Sequence, residues 1–438
     1  MTENTGSDPK PACARDRQLF GPGPKRVLAL DGGGVRGAVT VAFLERIEAI
    51  FSAHYGEPVR LGDHFHLVGG TSTGAIIAGA LALGYRCEQV KEFYTRLAPL
   101  VFKKQRWALP ILQAKFAAHG LRAEIERIVG DREMMSEDLI TGLCVVTKRI
   151  DTGSPWIIAN NPKAPYWEDG AGHDGNKHYK LATLVRASTA APSYFDPELL
   201  PISGRNAPLP ASEAKPLAKP KLVLFLESLM ARLGWKSKTV LDSRQYGLFV
   251  DGGVTPHNNP SFALLQMISL KAFQLCWKPG PENLCFVSVG TGTSRPRIKY
   301  EDLGFTRYVQ LALHSLMSMM SDAQALVLAQ MQWLGECPQP WTINSEIGTL
   351  ADDGPPGGKL FRFLRYDVIL EPAWLSRELG LDLTEAECNG LRQMDDPGIV
   401  NRIYAIARLA AEKQVKAEHF FPQKAGASGG AAPVAAPA

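Results

Sequence analysis

The chain has 438 residues, of which 45% are hydrophobic and 21% charged, and its 48 basic and 44 acidic side chains leave a net charge of +4. Such a length and apolar fraction support a large buried core and exclude a chain disordered throughout or a collagen-like one. A surplus this small also argues against a dedicated polyanion-binding domain, and so against a nucleic-acid polymer as partner.

Residues 1–24 are polar, broken by Pro and Gly, and lack the apolar core of a secretory signal, so they read as a flexible tail. Arg26–Leu30 predicts a strand, and Val39–Phe51 a helix with Val39, Phe43, Ile47 and Ile50 on one face. Phe65–Gly69 predicts a second strand and Ala75–Leu83 a buried helix. The longest apolar run, Ala75–Gly84, is far shorter than the roughly 20 residues that span a bilayer. Leu143–Lys148, Leu248–Val250 and Leu284–Val289 predict further strands. Apolar strands alternating with helical patterns imply an α/β fold whose sheet is covered on both faces. Residues 200–245 read as an insertion with a Pro-rich start, and 423–438 as a low-complexity Ala/Gly/Pro tail, leaving 25–422 as one domain. The seven cysteines, at 13, 87, 144, 276, 285, 337 and 388, are odd in number and include no CxxC pair. That pattern fits reduced thiols in a cytoplasmic protein, and fits neither a zinc site nor a disulfide framework.

Three motifs carry chemistry. Asp31-Gly32-Gly33-Gly34-Val35-Arg36-Gly37 follows a predicted strand and opens a helix. Glycines there leave backbone N–H groups open to an anion at a helix N-terminus. The run also fits G-x-G-x-x-G, which keeps a dinucleotide-dependent oxidoreductase in play. That reading needs an acid at the end of the second strand, and Glu57 and Asp63, though near the right distance, end no strand. The second motif, Gly70-Thr71-Ser72-Thr73-Gly74, lies between a strand and a helix, as a nucleophile elbow does, with Gly70 and Gly74 avoiding collision and the Thr73 N–H facing a developing oxyanion. The third, Asp251-Gly252-Gly253, ends a short apolar strand, and its carboxylate could take the Ser72 proton directly. His257, His314 and His419 occupy the chain order of a hydrolase triad, but none carries a distinctive signature. Each motif alone also has a bland reading: a turn without a ligand, a helix cap, a plain Asp-Gly-Gly turn.

Together and in this order, DGGGVRG, GTSTG and DGG resemble the patatin-like phospholipase family, with further likeness in Val185–Pro197, Phe286–Gly292 and Phe361–Val368. The resemblance implies a three-layer α/β/α sandwich around a mainly parallel sheet. It implies Ser72 as nucleophile, Asp251 as base, an oxyanion hole from Gly32, Gly33 and Gly34, and supporting roles for Arg36, Gly70, Gly74, Gly252 and Gly253. Its chemistry is hydrolysis of fatty-acyl esters of phospholipids or other lipids through an acyl-serine, with no metal or other cofactor. Some bacterial relatives are membrane-degrading effectors in antiviral systems, switched on by small cyclic nucleotides, which makes such an activator an expectation here. A non-catalytic lipid-binding scaffold is the remaining alternative. Two segments are candidates for contact with the inner face of the membrane, 221–235, an apolar stripe of Leu222, Leu226, Leu229, Met230 and Leu233 among basic residues, and 101–109; the alternative for both is a helix face buried in the protein itself.

Overall fold

The computed structural model describes residues 13–101, 118–192, 194–203, 245–294 and 307–422. The candidate membrane segment 221–235, residues 102–109 of the other, the interior of the 200–245 insertion and the C-terminal tail lie outside the described residues. Among the described residues nine strands form one sheet: β1 (Lys25–Leu30), β2 (Leu67–Thr71), β3 (Gly142–Arg149), β4 (Ser154–Ala159), β5 (Glu198–Pro201), β6 (Tyr246–Asp251), β7 (Leu284–Val289), β8 (Gly335–Glu336) and β9 (Phe361–Tyr366). Strands β3, β2, β1, β7, β9 and β8 run parallel in that spatial order. The exceptions are β4 and β6, both antiparallel to β3, and β5, antiparallel to β6.

The α-helices among the described residues are α1 (Ala14–Phe20), α2 (Gly37–Tyr55), α3 (Leu61–His64), α4 (Thr73–Ala82), α5 (Cys87–Val101), α6 (Ala118–Val129), α7 (Leu181–Ser188), α8 (Ser261–Ser269), α9 (Arg307–Leu334), α10 (Pro372–Leu379), α11 (Glu385–Leu391) and α12 (Val400–Gln414). Alternation along the strands divides the core between two faces. On β1, Leu28 and Leu30 join a cluster with residues of α2, α4, α5, α6, α7 and α12, whereas Val27 and Ala29 join one with residues of α1, α8 and α9. Helices cover both faces of a mostly parallel sheet, so the expected three layers are present. The stripe Val39, Phe43, Ile47 and Ile50 on α2 is buried, as is every residue of α4.

Two local expectations change. Strand β2 begins later and ends later than its sequence suggests. The Phe65 N–H caps α3 by donating to the Leu61 carbonyl, and pairing with β3 continues through Gly70 and Thr71 to the residue before Ser72. Part of the supposed N-terminal tail is also ordered structure: α1 buries Leu19 under the sheet, where the Trp277 indole donates to the Leu19 carbonyl at 2.9 Å. An apolar Leu-Phe pair at the end of a short helix has burial to gain there, and a polar composition upstream conceals it. The two ends of the 200–245 insertion meet at the β5–β6 hairpin, where the Ile202 N–H donates to the Gln245 carbonyl at 2.8 Å.

Candidate active site

Strand register brings the second and third motifs together. Residues 144–149 of β3 pair with β4 along one edge, so β2 (on 142–146) and β6 (on 147–149) share the other. They run in opposite directions and meet end to end: Thr71 lies opposite Val146 and Asp251 opposite Thr147. The residue after Thr71 is Ser72. Its hydroxyl donates to Asp251 Oδ2 at 2.6 Å, and Asp251 Oδ1 accepts from the Gly253 N–H at 2.7 Å.

Ser72 adopts φ 55° and ψ −122°, a backbone region that L-residues seldom occupy. Its turn is so tight that a Cβ on Gly70 would stand 2.1 Å from the Gly74 carbonyl oxygen, and one on Gly74 would stand 2.2 Å from the Leu30 oxygen. Ser72 is partly exposed, whereas Asp251 behind it is 5% exposed. Burial pushes the Asp251 carboxyl up to about 6, against the hydrogen bonds from Ser72 and Gly253 and the charge of Arg186. A partly exposed serine bonded to a buried carboxylate that ionises near pH 6 has the makings of a nucleophile with its base.

The glycine loop lies against this pair, since a Cβ on Gly32 would come within 3.1 Å of Ser72 Cβ. Its donors are unequal. The Gly32 N–H already donates to the Asn258 carbonyl at 3.1 Å, which leaves Gly33 and Gly34 of the expected trio with open donors. The N–H groups of those two, and of Thr73 at the start of α4, donate to no protein acceptor among the described residues. Gly34 also needs its glycine: φ is 59°, and a Cβ would stand 2.2 Å from the Met394 oxygen. Arg36 donates from Nη1 to the Gly292 carbonyl at 2.9 Å. A Cβ on Gly252 would meet the Val146 oxygen at 2.4 Å, so that glycine lets the Asp251 turn close on β3.

Serine and aspartate bond directly, and neither His257 nor His419 stands between them. His257 offers its backbone carbonyl to the Thr71 hydroxyl at 2.6 Å, and His419 pairs with the Tyr366 hydroxyl at 2.8 Å. His314 is on α9, and its side chain lies outside the described residues. The dinucleotide alternative finds no support in geometry either. Glu57 is exposed after α2, Asp63 pairs with Arg60 at the surface, and β2 ends at Thr71, followed by Ser72, with no acid there.

Several partners escaped sequence reasoning. The Ser188 hydroxyl accepts from the Ser72 N–H at 2.8 Å and donates to the Val146 carbonyl at 2.6 Å, while the Asp251 N–H donates to the Ala190 carbonyl at 3.0 Å. The end of α7 thus holds the backbone of both members of the pair. Asn258 grips Gly32 from both sides, its carbonyl accepting from the Gly32 N–H and its Nδ2 donating to the Gly32 carbonyl at 3.3 Å. The Tyr94 hydroxyl donates to the Gly34 carbonyl. Ser188 lies within Val185–Pro197, a segment noticed only for its family likeness. Among the described residues no cluster of three or more His, Cys, Asp or Glu could hold a metal, and no helix is long and apolar enough to cross a membrane.

A family model described as patatin-like phospholipase matches residues 28–265, more than half of the chain. A cGAMP-activated phospholipase of Escherichia coli (strain TW11681) is 32% identical over 178 residues, covering 39% of this chain and 48% of that protein. A cUMP-AMP-activated phospholipase of Escherichia coli is 34% identical over 175 residues, covering 40% and 50%. The chain therefore spans about half the length of the curated relatives it matches. Among solved structures, human GIVD cytosolic phospholipase A2 overlaps 93% of this chain and 59% of its own at 9% identity, with a TM-score of 0.39.

Proposed function

Because the chain belongs to the patatin-like phospholipase family, we propose that it hydrolyses fatty-acyl esters of membrane phospholipids through an acyl-serine formed on Ser72. The observation that carries this reading is the 2.6 Å hydrogen bond from the Ser72 hydroxyl to the buried Asp251 carboxylate, with vacant N–H donors beside it. Asp251 takes the hydroxyl proton as Ser72 Oγ attacks the ester carbonyl. The oxyanion accepts hydrogen bonds from Gly33 and Gly34, with the Thr73 N–H close at hand. Collapse expels the lysolipid alkoxide, which takes the proton back from Asp251. Water then attacks the acyl-serine, again giving its proton to Asp251, and the proton returns to Ser72 as the fatty acid leaves.

The same reading takes residues 25–422 as one catalytic unit working in the cytoplasm, in peripheral contact with the inner membrane face through the basic, apolar pattern of 221–235. Activation by a small cyclic nucleotide belongs to it too, supported by the names of the relatives that match best among those above. The test is fatty-acid release from phospholipid vesicles by wild type, Ser72→Ala and Asp251→Asn, each with and without a panel of cyclic di- and trinucleotides. Release by wild type alone, raised by one nucleotide, is the expected result. Equal release by Ser72→Ala would remove the serine mechanism, and release indifferent to every nucleotide would remove the activator.

A further inference from the structure

Donors kept vacant for an oxyanion cannot be held in place by their own hydrogen bonds, so the glycine loop must be fixed through its other atoms. Its base is fixed by a residue far outside the family match. Arg365, near the end of β9, is 8% exposed and reaches over β7 to β1. It donates from Nη1 and Nη2 to the two carboxylate oxygens of Asp31, at 3.1 and 2.7 Å, and from Nη1 to the Ser288 hydroxyl at 2.8 Å. Nη2 also donates to Asp367 Oδ2 at 2.7 Å.

Each carboxylate governs one loop. Asp31 immediately precedes Gly32. Asp367 accepts from the Gly292 N–H at 2.9 Å and the Thr293 hydroxyl at 2.6 Å, fixing the loop after β7. That loop in turn holds the glycines: the Thr291 hydroxyl donates to the Gly32 carbonyl at 2.9 Å, and Gly292 accepts from Arg36. Burial alone would lower the Arg365 pKa, but the two carboxylates raise it above the ordinary guanidinium value, so the cation is permanent.

We propose that Arg365 is a positioning residue for the oxyanion hole, clamping the glycine loop and the facing 290–293 loop at one guanidinium so that the Gly33 and Gly34 N–H groups stay aimed at the reacting carbonyl. This rests on the assignment of Ser72, Asp251 and the glycine loop above.

The test uses the full chain and p-nitrophenyl butyrate. Arg365→Lys keeps the cation but gives up the fork. Its kcat is expected to fall about 100-fold with KM within about twofold, the cost of a donor displaced in the transition state only. Inhibition by a trifluoromethyl ketone, whose adduct on Ser72 places an oxyanion in the hole, should weaken in step with kcat, while binding of an ether-linked substrate analogue holds. A second variant, Asp31→Asn with Arg365→Met and Asp367→Asn, removes the buried charges together, so that a folded protein remains. It should lose kcat to a similar degree. A folded triple variant with wild-type turnover, or Arg365→Lys within about threefold of wild-type kcat, overturns the proposal, as does a loss shared equally by the ether analogue. Hydrolysis by Ser72→Ala at the wild-type rate would instead overturn the underlying site assignment.

Discussion

At the scale of single residues, Asp251 makes opposite demands on activity and stability. Burial raises its carboxyl to about 6, and in the proposed role of base it must be ionised to accept the serine proton. Turnover should therefore rise with pH through about 6 and fall about tenfold per unit well below it, measurable as kcat/KM on a soluble ester. Stability runs the other way. The folded carboxyl holds its proton to higher pH than the unfolded one, so the ionised group costs folding free energy once pH passes from about 4 to about 6. Asp251→Asn should raise stability by about 2 kcal/mol at neutral pH, with no gain near pH 4, as denaturant melts at the two pH values would show. Ser188→Ala leaves the Ser72 N–H buried without its acceptor, in a backbone conformation that already needs support. A fall in kcat/KM of about tenfold or more is expected, with the fold retained. Ser72, Asp251 and the glycines stood out as candidates because their three motifs occur together and in order, although each alone is ambiguous. Ser188 and Arg365 were not, because a backbone N–H partner 116 residues away and a carboxylate 334 residues away leave no local pattern.

At the scale of elements, the site is a consequence of two strands abutting along one edge of β3. The apolar runs at 26–30, 143–148, 248–250 and 284–289 announced their strands, and the two-faced burial followed from their composition. Nothing local in Tyr246–Asp251 says that it pairs antiparallel to β3 beyond the end of β2, since register is set by long-range packing. The misplaced start of β2 has the same origin: Phe65 looks like strand residue but caps a short helix. The elbow tolerates no added carbon where the sheet crosses behind it. Gly74→Ala would push a methyl to 2.2 Å from the Leu30 oxygen, and is expected to destabilise by about 2 kcal/mol or more with loss of esterase activity. Urea melts and turnover measured side by side would check both.

Over the whole molecule, the family match stops at 265 while the sheet continues through β7 and β9 to β8, and α12 packs on α2 within the same core. The part beyond the match completes the centre of the fold: β7 pairs with β1, and Arg365 and Met394 hold the glycine loop. The N-terminal helix closes the opposite face. Leu19→Ala should cost about 2–4 kcal/mol through the lost burial and the cavity left beneath β3, read as a lower denaturant midpoint with activity intact at low denaturant. A net charge near zero and an apolar core could be read from composition at once; the helix hidden in a polar N-terminus could not, because two apolar residues are too few to set a period.

The central claim is that Asp251 activates Ser72 without an imidazole between them. The most direct measurement is the rate at which a fluorophosphonate probe labels wild type and Asp251→Asn, followed by intact mass across the acidic-to-neutral range, with the adduct located by peptide mapping. The expected result is one adduct, on Ser72, forming faster as pH rises through about 6, and at least about 1000-fold slower in Asp251→Asn. Labelling of Asp251→Asn at the wild-type rate, or an adduct on another residue, would contradict it.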